Sequence, residues 1–463
     1  MKKKYFFSDK NFIKMILSVA LPVSLQFLIS TSINMADTVM ISSLGGAEIA
    51  AVGQVNQYVF FFIVACFGVS SAGAVFFSQH FGDNDQDNVR RYLSLTLQLS
   101  ILISLVFTFF SILFPEHIMR VLIPDEEVIK HGSLYLRLIS ITFIPTAISQ
   151  VYNTVLRSVN RAREPLFVSF ISFILNVLFN YIFIFGKFGA PALGVAGAAL
   201  GTIIARFAEI IILNIIIYKE KHGYETITPL DLFKIDRLRI KNFIPIALPI
   251  IMAEVFWALG QLLFSMAYAR IGKDATASIQ LTGTIQNIFF IIVNSLNTAA
   301  AILIGQTLGS SRKDKAEVFA SYFLQINTLI GFISLLVLVF MPHTLMKIYS
   351  NIEPQIYNTA INLLIIRGIF IPFRFINGML FVGIFRAGGE TKLPLIFELC
   401  TMWLFAIPMS FIGVLVFKWP IEWIFSIVSF EELVKLLLIM PLYKKKRWLN
   451  NITSQEKTTG AIA

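Results

Sequence analysis

Charge is what this chain has least of. Only 14% of its residues are Asp, Glu, Lys or Arg, against roughly a quarter in a soluble domain, while 56% are hydrophobic. That balance excludes an ordinary cytosolic enzyme. The apolar side chains, 45 Phe among them, outnumber what a globule of 463 residues hides from water, so the surplus faces lipid. Cysteine is nearly missing: Cys66 and Cys400 lie in apolar runs without C-x-x-C spacing, which excludes a disulfide framework or zinc site and leaves both as small core residues. The five histidines, His80, His117, His131, His222 and His343, fall in connections or at the edges of apolar runs. An intramembrane metalloenzyme or His-dependent acyltransferase needs a base or ligand cluster at its site, so that class is disfavoured and no enzymatic chemistry or cofactor is expected. Long connections are lacking too, which leaves no room for a soluble ATPase domain. GKDATAS at 272–278 lacks the upstream glycine of a phosphate-binding loop. Uphill movement by such a protein would draw on an ion gradient.

What is present is a series of apolar runs, each about 20 residues long, the length that crosses a bilayer as a helix. Twelve spans are expected, at 14–41, 50–77, 92–114, 133–156, 166–186, 193–218, 243–270, 277–304, 319–341, 358–383, 395–417 and 420–442. The basic start MKKKYFFSDK precedes an apolar stretch without an A-x-A cleavage site, so this stretch is read as an uncleaved first span. Lys and Arg number about 26 in the connections on the side of the termini and about 7 on the other, which predicts cytoplasmic termini. The formal charge of +11 is thereby a matter of orientation and does not point to nucleic acid.

The chain also repeats itself. Ala20-Leu21-Pro22 recurs 227 residues on as Ala247-Leu248-Pro249, and Phe143-Ile144-Pro145 recurs at the same shift as Phe370-Ile371-Pro372. Gly45, Gln79 and Gly82 likewise find Gly272, Gln306 and Gly309, and Arg157 and Pro165 reappear as Arg386 and Pro394 after a two-residue insertion. The expected organisation is a six-helix half at 1–218, a cytoplasmic linker at 219–241 and a second six-helix half at 242–463 with a short basic tail. Six spans per half make the halves parallel. An all-α polytopic fold around a central cavity follows, and such duplicated folds favour carriers that alternate access to one site.

Ionisable residues inside a span cost roughly 2.5–3.5 kcal/mol each on insertion scales, so those retained are functional candidates. Asp37 lies late in the first span and Glu254 near the middle of the seventh. A desolvated carboxylate takes up a proton, or keeps its charge by holding Na⁺ or an organic cation. Asn176 and Asn180, four apart on the fifth span, share a face, and Asn153 on the fourth is placed to meet them; a structural amide bridge between helices is the even alternative. Arg206 and Glu209 are expected to pair locally. Arg367 and Arg374 share a face of the tenth span, where either could neutralise Glu254 and turn it into a structural partner. Pro22, Pro145, Pro249 and Pro372 should kink their spans, and Pro22 is the expected bending point of the first.

ALPVSLQ, Asp37 within ADTVM, QHFGDNDQDNVRR, LRSVNRAREP and LNVLFNYIFIFGKFGAPALGVAGAALGT, with GQTLGSSRKDKAEV and FRAGGETKLP in the second half, resemble the multidrug and toxic compound extrusion (MATE) family over nearly the whole chain. The resemblance implies an antiporter that expels cationic amphipathic drugs in exchange for H⁺ or Na⁺. By that resemblance Asp37 is similar to the family's first-span acid, Asn153 and Asn176 to the amides around it, and Asn180 and Glu254 to residues of the NorM-like branch. The tenth-span Asp of that branch is lacking, and IPFRFINGMLFVG offers Asn377 and Arg374 instead. Asp37 and Glu254 are therefore the expected cation-coupling residues, with Na⁺ as an alternative to H⁺, and Asn153, Asn176, Asn180 and Asn377 the polar network. The partners expected are a cationic small molecule and the lipid bilayer, the state a monomer, and the location the cell membrane. The rival within the superfamily is a lipid-linked saccharide or lipid flippase, for which Arg367 and Arg374 would supply the cations; a membrane-embedded enzyme is the rival of another class.

Overall fold

The computed structural model describes residues 6–219, 234, 236–349 and 352–460. Most of the 219–241 linker, with His222, and the N-terminal lysines lie outside the described residues. The described chain is helical throughout: α1 (Lys10–Ile41), α2 (Gly46–Gly82), α3 (Gln86–Leu113), α4 (Pro115–Leu122), α5 (Glu126–Ile139), α6 (Phe143–Ser158), α7 (Arg163–Phe185), α8 (Val195–Lys219), α9 (Arg237–Ala269), α10 (Lys273–Gly309), α11 (Lys313–Phe340), α12 (Pro342–Met346), α13 (Pro354–Gly378), α14 (Lys392–Glu398), α15 (Ile407–Leu415), α16 (Ile421–Lys444) and α17 (Ile452–Gly460). Two π-helical segments, Met379–Phe385 after α13 and Leu399–Ala406 between α14 and α15, complete their spans. Among the described residues eleven helices are long and apolar enough to cross a membrane. The expected span at 420–442 forms α16, whose 24 residues suit a crossing although Glu431, Glu432 and Lys435 interrupt its apolar run. The architecture is that of a polytopic all-α membrane protein.

Two compact units divide the chain, one of Leu21–Ala247 and one of Met1–Ala20 with Leu248–Ala463. The division falls inside α1 and α9, beside Pro22 and Pro249, each of which lacks the N–H that an interior helical turn requires. The local chemistry at the starts of these helices repeats. Asp9 Oδ1 accepts the Phe12 N–H at 3.0 Å, and Asp236 Oδ1 accepts the Arg239 N–H at 3.2 Å, an N-terminal cap in each case. Within the second unit Phe12 packs against Phe319, Tyr322 and Phe323 at centroid distances of 4.8, 4.9 and 5.3 Å. Within the first, Phe243 packs against Phe76 and Tyr92 at 5.3 and 6.3 Å. Each first-helix segment is thus held by aromatic rings on a neighbouring span.

Between α2 and α3, Asp85 caps α3 by accepting from Asn88 N at 3.1 Å, and its other oxygen lies 3.3 Å from His80 Nδ1 and 2.6 Å from Asn88 Nδ2. The His80 hydrogen bond, reinforced by Asn88, holds the Asp85 carboxyl well below the usual carboxylate range. Close helix approaches rest on glycine. A Cβ on Gly197 would lie 2.8 Å from the Ile184 nitrogen, and one on Gly201 2.8 Å from the Asn180 nitrogen, so the G-x-x-x-G spacing seats α8 directly on α7. Cys66 is buried, as read from its apolar run, but Cys400 is exposed. An apolar run in a membrane span does not distinguish core from outer face.

After α16 the described tail packs within the second unit. Trp448 is fully buried, its carbonyl where a side chain on Gly388 would stand. The buried Asn451 amide donates to Leu308 O at 2.8 Å and Ser311 Oγ at 3.1 Å, while its oxygen accepts from Thr453 Oγ1 and Ser454 N at 2.8 and 3.0 Å.

Candidate functional site

In the first unit α1 brings Asp37, half-buried, against the buried amides of α7. Asn180 Nδ2 donates to Asp37 Oδ1 at 2.5 Å and lies 3.4 Å from Asn176 Oδ1; Asn176 Nδ2 in turn donates to Thr202 Oγ1 of α8 at 3.3 Å, and that hydroxyl donates to Ala198 O at 3.0 Å. Four side chains from three helices thereby form one hydrogen-bonded row that begins at the acid. Gly201 makes the row fit, because any side chain there would strike Asn180. Tyr135 of α5 and Arg206 of α8 lie within electrostatic reach of Asp37. Arg206 also holds Glu209 Oε2 at 2.7 Å, the local pair that the spacing predicts.

Asn153 does not join the row. It is buried on α6 with no hydrogen bond to Asp37, Asn176 or Asn180, and its Oδ1 has no partner. The spacing of a lone amide says on which helix it lies but not which neighbour it meets. A second cluster went unread: the buried Gln26 of α1 donates to Ser169 Oγ at 2.9 Å and accepts the Arg157 guanidinium, tying α1 to α6 and α7 eleven residues before Asp37. Its signal in the sequence is the recurrence of Arg157 and Pro165 as Arg386 and Pro394 in the second half.

The second unit handles its polar groups differently. Glu254 Oε1 is bound by Arg386 Nη2 at 2.9 Å, so its partner is neither Arg367 nor Arg374. Arg374 instead lies 3.8 Å from Glu432 and stacks on Phe290 at 4.7 Å, while Arg367 covers Phe425 at 4.7 Å. Asn377 Nδ2 donates to Glu432 O and Oε2 at 2.7 and 2.8 Å, so this amide serves an acid absent from the sequence reading. Deeper in α16, Lys435 Nζ sits 2.8 Å from both Glu398 Oε2 and Glu431 Oε1, and Thr401 Oγ1 donates to Glu431 Oε1 at 3.2 Å. Glu398, Glu431, Glu432 and Lys435 are intramembrane charges that the sequence analysis does not single out. The i,i+4 spacing of Glu431 and Lys435 was the available clue.

Chemically, the Asp37 row is an acid whose charge one amide N–H stabilises and whose other oxygen accepts no hydrogen bond among the described residues. In the second unit Glu254 and Glu432 each face an arginine, whereas Glu398 and Glu431 share the single Lys435 ammonium. An all-helical membrane fold that holds acids within its spans defines a transporter more readily than a catalyst. The comparisons agree. The sequence pattern of the MatE family matches residues 22–182 and 249–412, and the chain belongs to that family. An uncharacterized transporter, YisQ of Bacillus subtilis, is 23% identical over 96% of both chains. A probable multidrug resistance protein, NorM of Neisseria meningitidis serogroup B, is 26% identical over 84% of this chain and 85% of its own. The crystal structure of a MATE protein in the bent conformation superposes with a TM-score of 0.85 at 18% identity, covering 97% of each chain. Membership makes the protein a multi-pass membrane transporter of small molecules and not an enzyme.

Proposed function

We propose that the protein is a secondary antiporter that exports cationic amphipathic drugs or toxic compounds in exchange for H⁺ or Na⁺ by alternating access, as a monomer with both termini in the cytoplasm. The observation that carries this reading is the Asp37 carboxylate, placed within a span and bonded by Asn180 on one oxygen only. In the exchange cycle an organic cation rests its charge against Asp37 on the inward-facing side. On the outer side the entering H⁺ or Na⁺ takes the same carboxylate and weakens the hold on the organic cation, which leaves. Asn180, itself braced by Asn176 and Thr202, keeps the carboxylate aimed through both occupancies. Exchange of one ion for one monovalent organic cation moves no net charge and draws on the ion gradient alone. Two ions for one move one net charge, to which a membrane potential adds about 2.3 kcal/mol per 100 mV, roughly fiftyfold.

The test is ethidium efflux from proteoliposomes with pH and Na⁺ gradients imposed separately. One gradient is expected to drive efflux, and Asp37→Asn to reduce it by about two orders of magnitude or more, a loss of at least about 2.7 kcal/mol, with normal expression. Efflux preserved in the Asn variant rejects the shared-acid scheme.

A further inference from the structure

The second unit holds a cluster that this exchange scheme does not use. Glu398 at the end of α14, Glu431 and Lys435 on α16 are all at least nine-tenths buried, and the single ammonium lies 2.8 Å from each of the two carboxylates. The other charged groups around them are already engaged. Arg374 of α13 faces Glu432, which also takes the Asn377 amide; Arg367 of α13 rests on the Phe425 ring; and Tyr268 of α9 is the remaining titratable neighbour. One cation therefore answers two acids, leaving one negative charge in excess when both acids are ionised.

Two further observations set this cluster apart from a structural ion pair. Glu398 Oε1 is buried without a hydrogen-bond partner among the described residues. A bare buried carboxylate oxygen is costly, and a bound proton removes the charge that makes it so. The nearby Asn377 Oδ1 is also buried and unbonded. In addition, the helices that carry Glu398 and Asn377 both pass directly into π-helical segments, Leu399–Ala406 and Met379–Phe385. Such segments widen the turn at a cost in regularity and concentrate at functional sites.

We propose that Glu398, Lys435 and Glu431 form a proton-binding site of the second half, separate from Asp37, which is loaded and emptied once in each transport cycle. The proposal rests on the reading of the protein as an ion-driven exporter. A proton from water adds to the free Glu398 Oε1, turning the carboxylate into a carboxylic acid and making the trio neutral; it leaves from the same oxygen, and Lys435 stays an ammonium throughout. The two acids share one ammonium, so removing either changes the surroundings of the other.

Infrared difference spectra of the full-length protein in detergent, stepped from about pH 9 to about pH 5, read the site directly. In an Asp37→Asn background a carboxylic-acid carbonyl band is expected to grow on acidification and to vanish when Glu398→Gln is added. A band identical with and without Glu398→Gln overturns the site. In proteoliposomes with Asp37 intact, ethidium efflux driven by a pH gradient should change about tenfold per pH unit for each coupled proton, and Glu398→Gln should flatten that dependence. An unchanged slope overturns the coupling role. If Glu398→Gln does not fold, Glu431→Gln carries both measurements. Failure of the parent protein to export ethidium under either gradient sinks the exporter reading and the coupling role with it; proton-driven efflux without a Glu398-dependent band sinks this site alone.

Discussion

The two halves share a helical plan and differ in how they tolerate polar groups inside the membrane. In the first, Asp37 is served by neutral amides and a hydroxyl, Asn180, Asn176 and Thr202. In the second, Glu254, Glu398, Glu431 and Glu432 are answered by Arg386, Lys435 and Arg374. Amides orient a carboxylate without cancelling its charge, whereas an ammonium or guanidinium at 2.8–2.9 Å cancels most of it. One half thus leaves its acid beside neutral hydrogen-bond donors, and the other sets its acids against cations of its own.

The sharpest way to break this contrast is to remove a cation from the second half. Lys435→Met strands two buried acids and should cost about 3–5 kcal/mol of stability, measured as a lower melting temperature and reduced folded yield in detergent. Adding Glu398→Gln should recover part of the loss. If Lys435→Met is as stable as the parent, the second half is not held by its ion pairs. A smaller effect is expected in the first half from Gly201→Ala, which forces α8 off Asn180 at an overpacking cost of about 1–3 kcal/mol. Its signature is a weakened response to the coupling gradient together with the lowered melting temperature, since the amide that holds Asp37 is displaced. The smallest effect lies outside the membrane. Asp85→Asn should cost about 1 kcal/mol as a weakened helix cap. Because the native Asp85 carboxyl titrates below its unfolded value, its contribution is fully present above about pH 4 and fades as pH falls further toward the native value; the difference between parent and Asn variant in acid melts should shrink accordingly.

Much of this plan can be read from the residues, for physical reasons. Hydropathy finds the spans because a bilayer requires length and apolarity in one segment, and the shift of 227 finds the duplication because kinks and caps recur where geometry demands them. Asp37, Asn176 and Asn180 stand out because they are polar in otherwise apolar runs. The second-half network does not stand out, since Glu431 and Lys435, four apart within α16, look like a self-contained local pair, and only the arrival of Glu398 from another helix joins them into a larger cluster. The partner of Glu254 was hidden for a related reason. Arg386 is 132 residues away in sequence, whereas Arg367 and Arg374 drew attention by sharing a helix face. Pairing across helices depends on rotation about each axis, which periodicity leaves open.

The docked tail has a practical consequence for anyone mapping which side of the bilayer the chain ends on. Asn451-Ile452-Thr453 spells a glycan acceptor, and an experimenter could take it as a ready-made reporter of topology. Both ends of its amide are engaged by Leu308, Ser311, Thr453 and Ser454, so the folded protein shields the acceptor from any enzyme that reaches it after folding. Silence there is then open to two explanations, shielding or a cytoplasmic location, so a topology reporter is better placed in an exposed connection.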